Sequence, residues 1–223
     1  MNRRTLVLLI SVVILIAFAA AAYLYSPSPT PAEPSAQTQS SAQQAVPNKA
    51  NLVRFHSPVL GPAQAPVTIV EFFDPSCEAC RAFHPYVKQI LAENPDNVRL
   101  VLRYVLFHRG SEKVVRMLEA AREQDLYVQV LDAVLEAQPG WHDDPQVQAA
   151  WAAAERVGLD LEKARSDMLN PAVDAIIERD MQDVQAVGIR GTPTFFVNGR
   201  PLNEFGPGPL RQMVKSEVAK LEK

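Results

Sequence analysis

The chain has 223 residues, with 22 Lys and Arg against 25 Asp and Glu, so its formal net charge is −3. A hydrophobic share of 48% beside 21% charged residues excludes a wholly disordered chain, and the mildly acidic balance leaves no electrostatic footprint for nucleic acid. The only two cysteines, Cys77 and Cys80, stand three positions apart, which rules out a framework of structural disulfides.

After Arg3 and Arg4 comes an uncharged run of twenty residues, Leu6 to Tyr25. As a helix it would span roughly 30 Å at about 1.5 Å per residue, which matches a bilayer core. The arginines on its short leading side predict a cytoplasmic N-terminus with everything downstream outside. A cleavable signal peptide fits the same stretch, with Leu6 to Ile16 as its apolar region and Ala17-Phe18-Ala19 or Ala20-Ala21-Ala22 as the small-residue site. Residues 1–25 therefore read as a transmembrane anchor or signal peptide, and either delivers the rest to an extracytoplasmic space. Residues 26–51 are rich in Pro, Ser, Gln and Ala and hold few large apolar side chains, so they read as a disordered linker.

The folded part is expected over 52–223. Val67 to Phe73 is β-branched and aromatic, nearly continuous in hydrophobicity, and bounded by Pro66 and Asp74-Pro75, the pattern of a strand covered on both faces. A helix from about Cys77 to Asn94-Pro95 follows, carrying Phe83, Val87, Ile90 and Leu91 toward the core. Val98 to Phe107 is a second strand. One helix of sequence between two such strands predicts a parallel βαβ unit with a right-handed crossover. Ser111 can cap the first helix of an all-helical block at about 109–170, broken at Pro139-Gly140 and Gly158. Trp151 and its alanine-rich stripe read as helix-packing core. Asn170-Pro171 opens a longer helix that Gly188 stops. Thr194 to Val197, the turn Asn198-Gly199 and Arg200 to Asn203 predict a hairpin, and a last helix runs from about Pro209 to Leu221. The order describes an α/β domain with an all-helical insertion.

The chemistry gathers at Cys77-Glu78-Ala79-Cys80. A C-x-x-C pair at the exit of a buried strand and the start of a helix puts Cys77 where unpaired N–H groups and the helix dipole stabilise a thiolate. Cys80, one turn in, is close enough to form a small disulfide but shielded, so Cys77 reads as the nucleophile and Cys80 as the resolving thiol. A zinc half-site is the competing reading, with His84 four residues beyond Cys80. It would need a fourth ligand, and His56, His108 and His142 stand in unrelated segments.

Two motifs then carry a resemblance. Gly61 to Phe73 followed by Cys77 to Pro85, and far downstream Gly188-Ile189-Arg190-Gly191-Thr192-Pro193-Thr194-Phe195-Phe196-Val197-Asn198-Gly199, resemble the thioredoxin superfamily in its DsbA-like branch, over most of residues 58–220. The resemblance implies a thioredoxin fold with an inserted helical subdomain. It implies a cis-proline at Pro193 facing the cysteines, with the backbone of Thr192 pairing with an extended substrate segment. Pro85 matches the family's helix-kinking proline. Glu71 matches a buried acid beneath the resolving thiol that assists its proton transfer; Arg103 on the adjacent strand is its candidate partner, and an acid at a strand end reaching solvent is the alternative.

The sequence departs from the branch at Glu78-Ala79, where many DsbA-like oxidants carry proline and histidine. A carboxylate beside Cys77 is expected to disfavour its thiolate and make the disulfide a weaker oxidant. The implied function is an extracytoplasmic thiol:disulfide oxidoreductase of the cell envelope, acting on cysteine-containing secreted proteins with a membrane redox partner. It needs no metal and no cofactor beyond the Cys77–Cys80 pair. A reductase or isomerase kept reduced by a membrane electron donor, and a metal- or thiol-binding module, are the alternatives.

Overall fold

The computed structural model of the chain describes residues 49–222. The expected span at 6–25 and most of the expected linker lie outside these residues. Among the described residues no helix is long and apolar enough to cross a membrane.

Five strands form one sheet in the order β1-β3-β2-β4-β5: β1 (Val59–Leu60), β2 (Val67–Phe73), β3 (Val98–Tyr104), β4 (Thr194–Val197) and β5 (Arg200–Pro201). As expected, β2 and β3 run parallel, with helix α2 (Glu78–Glu93) between them in sequence. The short β1 is antiparallel to β3, and β4 is antiparallel to β2. The β4–β5 turn places Asn198 at φ 48° and Gly199 at φ 83°, the two left-handed residues that a tight hairpin requires. β5 is shorter than the predicted strand, although Leu202 N–H still donates to Phe195 O at 2.9 Å.

Both faces of the sheet are covered, and the period of two sorts side chains between them. Ile69, Glu71 and Phe73 of β2 face the same side as Leu100, Leu102 and Tyr104 of β3, toward the larger core. That core includes α2, the helical insertion and the last helix. Val70 and Phe72 face the other way with Val101, and a smaller core joins them to Leu52, Val184, Ile189 and Phe196. Helix α1 (Lys49–Leu52) supplies Leu52 and helix α7 (Pro171–Val187) supplies Val184. Because α1 is helical and Asn51 O accepts a hydrogen bond from Arg103 at 2.6 Å, the ordered fold starts before residue 52, earlier than the expected linker boundary.

The insertion comprises α3 (Ser111–Arg122), α4 (Tyr127–Glu136), a 3₁₀ turn (Gln138–Gly140), α5 (Gln148–Arg156) and α6 (Leu161–Asp167). Ser111 does not cap α3. Gly110 holds that position in the left-handed region at φ 79°, and the Ser111 hydroxyl instead donates to Asp74 Oδ1 at 2.5 Å. A Cβ at residue 110 would also meet Val147 Cγ1 at 2.9 Å, so glycine answers both the backbone and the packing. Ala150 and Ala154 are buried as expected, whereas Trp151 is only partly covered and lies under the Arg165 guanidinium at 4.9 Å. The Asn170 cap and the left-handed Gly188 stop of α7 stand where the sequence puts them. The last helix, α8 (Pro207–Val218), starts two residues early because Pro207 takes the first helical position behind Gly206.

Candidate active site

Strand β2 ends at Phe73, and the next four residues turn the chain into α2. Cys77 is the N-cap of that helix with extended dihedrals, so its sulfur sits over the first free N–H groups while Arg81 N–H donates to Cys77 O at 3.2 Å. Across the cleft the Thr192–Pro193 peptide is cis, and the Cys77 thiol donates to Thr192 O at 3.2 Å. Two segments more than a hundred residues apart in sequence thus meet at one sulfur.

The two thiols have opposite surroundings. Cys77 is lowered from 9.0 to about 5, first by the Cys80 thiol, against an opposing cost of burial, then by Thr192 and by the backbone of Cys80 and Ala79. The Thr192 hydroxyl, buried without a hydrogen-bond partner beside the neutral thiol, is free to donate to that sulfur once it ionises. Cys80 is fully buried and pushed far above the ordinary thiol range, chiefly by burial, then by Cys77 and by Glu71. Both cysteines are free thiols, so the site is in its dithiol form.

Glu71 is 3% exposed, which disposes of the strand-end alternative. Burial first and the charge at Cys77 second raise its carboxyl from 4.5 to about 8. Arg103 is not its partner. The register sets Glu71 opposite Leu102 and Arg103 opposite Phe72, so Arg103 emerges on the other face of the sheet. There its guanidinium donates to Asp180 at 2.7 and 3.0 Å and to Asp183 at 2.7 Å.

Glu78 is exposed and turned toward the insertion, with its carboxylate 3.6 Å from His142 Nε2. Burial apart, the largest influences on Cys77 come instead from Cys80, Thr192 and the backbone of Cys80 and Ala79. Ala79 contributes its backbone N–H rather than its side chain. His84 Nε2 lies 2.7 Å from Asp132 Oδ1, and no group of three His, Cys, Asp or Glu among the described residues is placed to hold a metal. Pro85 lies inside an unbroken α2.

Sequence reasoning missed Asp74. Fully buried, it accepts from Ser76 N–H at 2.9 Å, Phe107 N–H at 2.8 Å and the Ser111 hydroxyl, with His108 Nδ1 at 2.8 Å. One carboxylate thereby ties the approach to Cys77 to the start of the insertion. The available signal is an acid closing an apolar strand, which from sequence alone reads as the strand's boundary. Beside Cys77 opens a groove of about 550 Å³ lined by Glu78, Phe107, His108, Arg109 and His142.

The described fold and this site have known counterparts. The family model described as thioredoxin matches residues 55–215. A thioredoxin-like oxidoreductase from Silicibacter pomeroyi superposes with a TM-score of 0.67 and 31% identity, covering 78% of this chain and 98% of that one. Oxidised BdbD from Bacillus subtilis shares the fold at a TM-score of 0.63 and 23% identity, over 73% of this chain and 93% of its own. The thiol:disulfide interchange protein DsbA of Bordetella parapertussis is 27% identical over 170 residues, 75% of this chain and 76% of that protein. The Na(+)/H(+) antiporter NhaA of Herminiimonas arsenicoxydans is 35% identical over 144 residues, 65% of this chain. The chain spans only about a fifth of the length of the antiporter relatives it matches. With paired cysteines at a helix start and a cis-proline against them, the chain belongs to the thioredoxin family, as a DsbA-like member of it.

Proposed function

We propose that the protein is an extracytoplasmic thiol:disulfide oxidoreductase that passes a Cys77–Cys80 disulfide to cysteine-containing secreted proteins. The observation that carries this reading is the asymmetry of the pair: one sulfur held near 5 at a helix start, the other buried and raised. A sulfur stabilised as thiolate favours the dithiol form, so the disulfide is readily given away. The run Leu6–Tyr25 behind Arg3 and Arg4 supports delivery to the cell envelope, where disulfides persist.

In the forward reaction a substrate thiolate attacks Cys77 Sγ, the more accessible sulfur. The Cys77–Cys80 bond breaks, a substrate–Cys77 disulfide forms, and Cys80 leaves with the electron pair. A thiolate in that buried place requires a proton, and Glu71, largely protonated below about pH 8, supplies it. A second substrate thiolate then attacks the substrate sulfur, and Cys77 departs as a stable thiolate. The substrate loses two electrons and the protein gains two, which a membrane redox partner removes to restore the disulfide. Thr192 and Pro193, beside Cys77, present backbone to an extended substrate segment.

Thiolate absorbance titration of the reduced protein, paired with equilibration against glutathione, tests the reading. The expected midpoint lies near 5, with the equilibrium favouring the protein dithiol. A midpoint near the ordinary cysteine value of about 8.5, with the pair staying oxidised in glutathione, would assign the reductase role instead.

Glu71 gives a pH signature. The folded protein keeps this carboxyl protonated to about pH 8, while an exposed one ionises near 4.5. Between those values the folded state binds more protons than the unfolded state, so this group's contribution to stability is lost as pH rises through that window. Glu71→Gln removes the loss. The reduced variant should exceed wild type in stability by an amount that grows with pH, on the order of 3 kcal/mol near pH 7. Urea unfolding at pH 5 and pH 8 measures this; an unchanged difference between the two would mean that Glu71 ionises normally.

A further inference from the structure

Gln138 is fully buried although it belongs to the insertion's 3₁₀ turn rather than to the thioredoxin core. Its amide nitrogen donates to Pro75 O at 2.7 Å and to Cys77 O at 3.0 Å. Its amide oxygen accepts from Arg81 Nε at 3.0 Å, which fixes which end of the amide faces the redox segment. Both N–H donors and the carbonyl are therefore engaged, and two of the three bonds end on backbone carbonyls on either side of Ser76, at the approach to Cys77.

We propose that Gln138 is a positioning residue for the redox pair, a clamp by which the helical insertion fixes the backbone from Pro75 to Cys77 and aims the first N–H groups of α2 at the Cys77 sulfur. The proposal rests on the thiol–disulfide reading above and extends it to a residue outside the cysteine motif. Its logic is geometric. Cys77 O accepts from Arg81 N–H as the first intrahelical bond and from the Gln138 amide, so the carbonyl of the N-cap residue is held from two sides. Asp74 pins the same segment through Ser76 N–H, and the Ser76 hydroxyl donates to Arg109 O at 3.0 Å. The residues before Cys77 are thus fastened to the insertion at two places, at its start near 109–111 and at its central turn at 138. A hydrogen bond from an N–H to sulfur weakens steeply when its angle falls, so a small rotation of this segment changes how well the thiolate is held. Arg81 completes the clamp by keeping the amide from flipping.

The test compares Gln138→Met with Trp141→Phe. Methionine matches the length of glutamine without its donors and leaves Pro75 O without that partner. The Trp141 change removes the bond from its indole N–H to Val134 O, 2.8 Å, and so loosens the same turn without touching the redox segment. The readouts are the Cys77 midpoint by thiolate absorbance, the equilibrium constant against glutathione, and the melting temperature. Gln138→Met should raise the midpoint by about one unit and shift the glutathione equilibrium about tenfold toward the protein disulfide. Trp141→Phe should lower the melting temperature and leave the midpoint in place. Should Gln138→Met fail to fold, Arg81→Lys keeps the charge but loses the Nε donor, and it must raise the midpoint in the same direction. A lower melting temperature with an unmoved midpoint in Gln138→Met, equal midpoint shifts in the Gln138 and Trp141 variants, or an unmoved midpoint in Arg81→Lys where that variant stands in, overturns the clamp. The wild-type midpoint itself tests the thiol–disulfide reading, and only the difference between proteins tests the clamp, so the two failures are separable.

Discussion

Cys77→Ser abolishes disulfide exchange, whereas Cys80→Ala leaves a covalent adduct with the substrate. With its value near 5, Cys77 is almost wholly thiolate at neutral pH, and no other side chain at the site can replace it as nucleophile. A serine hydroxyl stays protonated there, so the loss is complete rather than partial. In Cys80→Ala the remaining Cys77 thiolate attacks an oxidised substrate and forms the mixed disulfide, but no second protein thiol displaces it, because Cys77 and Cys80 are the only cysteines. Incubation with an oxidised model protein, followed by non-reducing electrophoresis and intact mass, reads both results. Loss of exchange in the second variant with no adduct would reverse the assigned roles.

The largest expected loss of stability lies on the opposite face of the sheet. Asp180 is fully buried and accepts from Arg103 at 2.7 and 3.0 Å and from Tyr104 N–H at 2.8 Å, with His56 Nε2 at 2.8 Å. Arg103 also donates to Asp183, and Asp183 accepts two guanidinium bonds from Arg54 at 2.7 Å. The network fastens α7 to β3 and draws the segment from Asn51 to His56 against both. Arg103→Met leaves the fully buried Asp180 without its guanidinium and takes from Asp183 the cation it shares with Arg54, a change that costs about 3–5 kcal/mol. For a domain of this size that is roughly 10–15 °C in melting temperature. The double change Arg103→Met with Asp180→Leu should recover part of the loss, because it leaves one fewer uncompensated charge in the interior. Thermal unfolding of the three proteins decides it. A drop of only a degree or two in Arg103→Met would show that the network is readily replaced by water.

The misassignment of Arg103 shows where sequence reading stops. The β-branched run of β2 and the apolar run of β3 are legible because both are buried on two faces. That same continuity removes the alternation that would report which side chains share a face. Register alone separates Glu71 from Arg103, and register is set by long-range pairing. The cysteine motif and the Asn170 and Asn198-Gly199 signals are local, so residue type and order suffice to place them, whereas the proline facing the cysteines is placed only by the family resemblance. Asp74 and Gln138 work differently. The partners of Asp74 lie as far as 37 residues away and those of Gln138 as far as 63, and an acid at a strand end or a glutamine before Pro139-Gly140 looks like ordinary punctuation. The short α1 and β1, four and two residues long, carry too few positions to show any period.

The division of polar groups between the two faces of the sheet has a use in engineering. The groups that set the sulfur chemistry, Glu71 and Cys80, lie in the larger core, whereas the Arg103 network lies across the sheet with α7. Changes at well-separated positions with no shared partner combine almost independently. Thermal resistance can therefore be tuned through the α7 face while the redox potential is tuned through the loop around Cys77, so that one hardened scaffold carries a graded series of potentials.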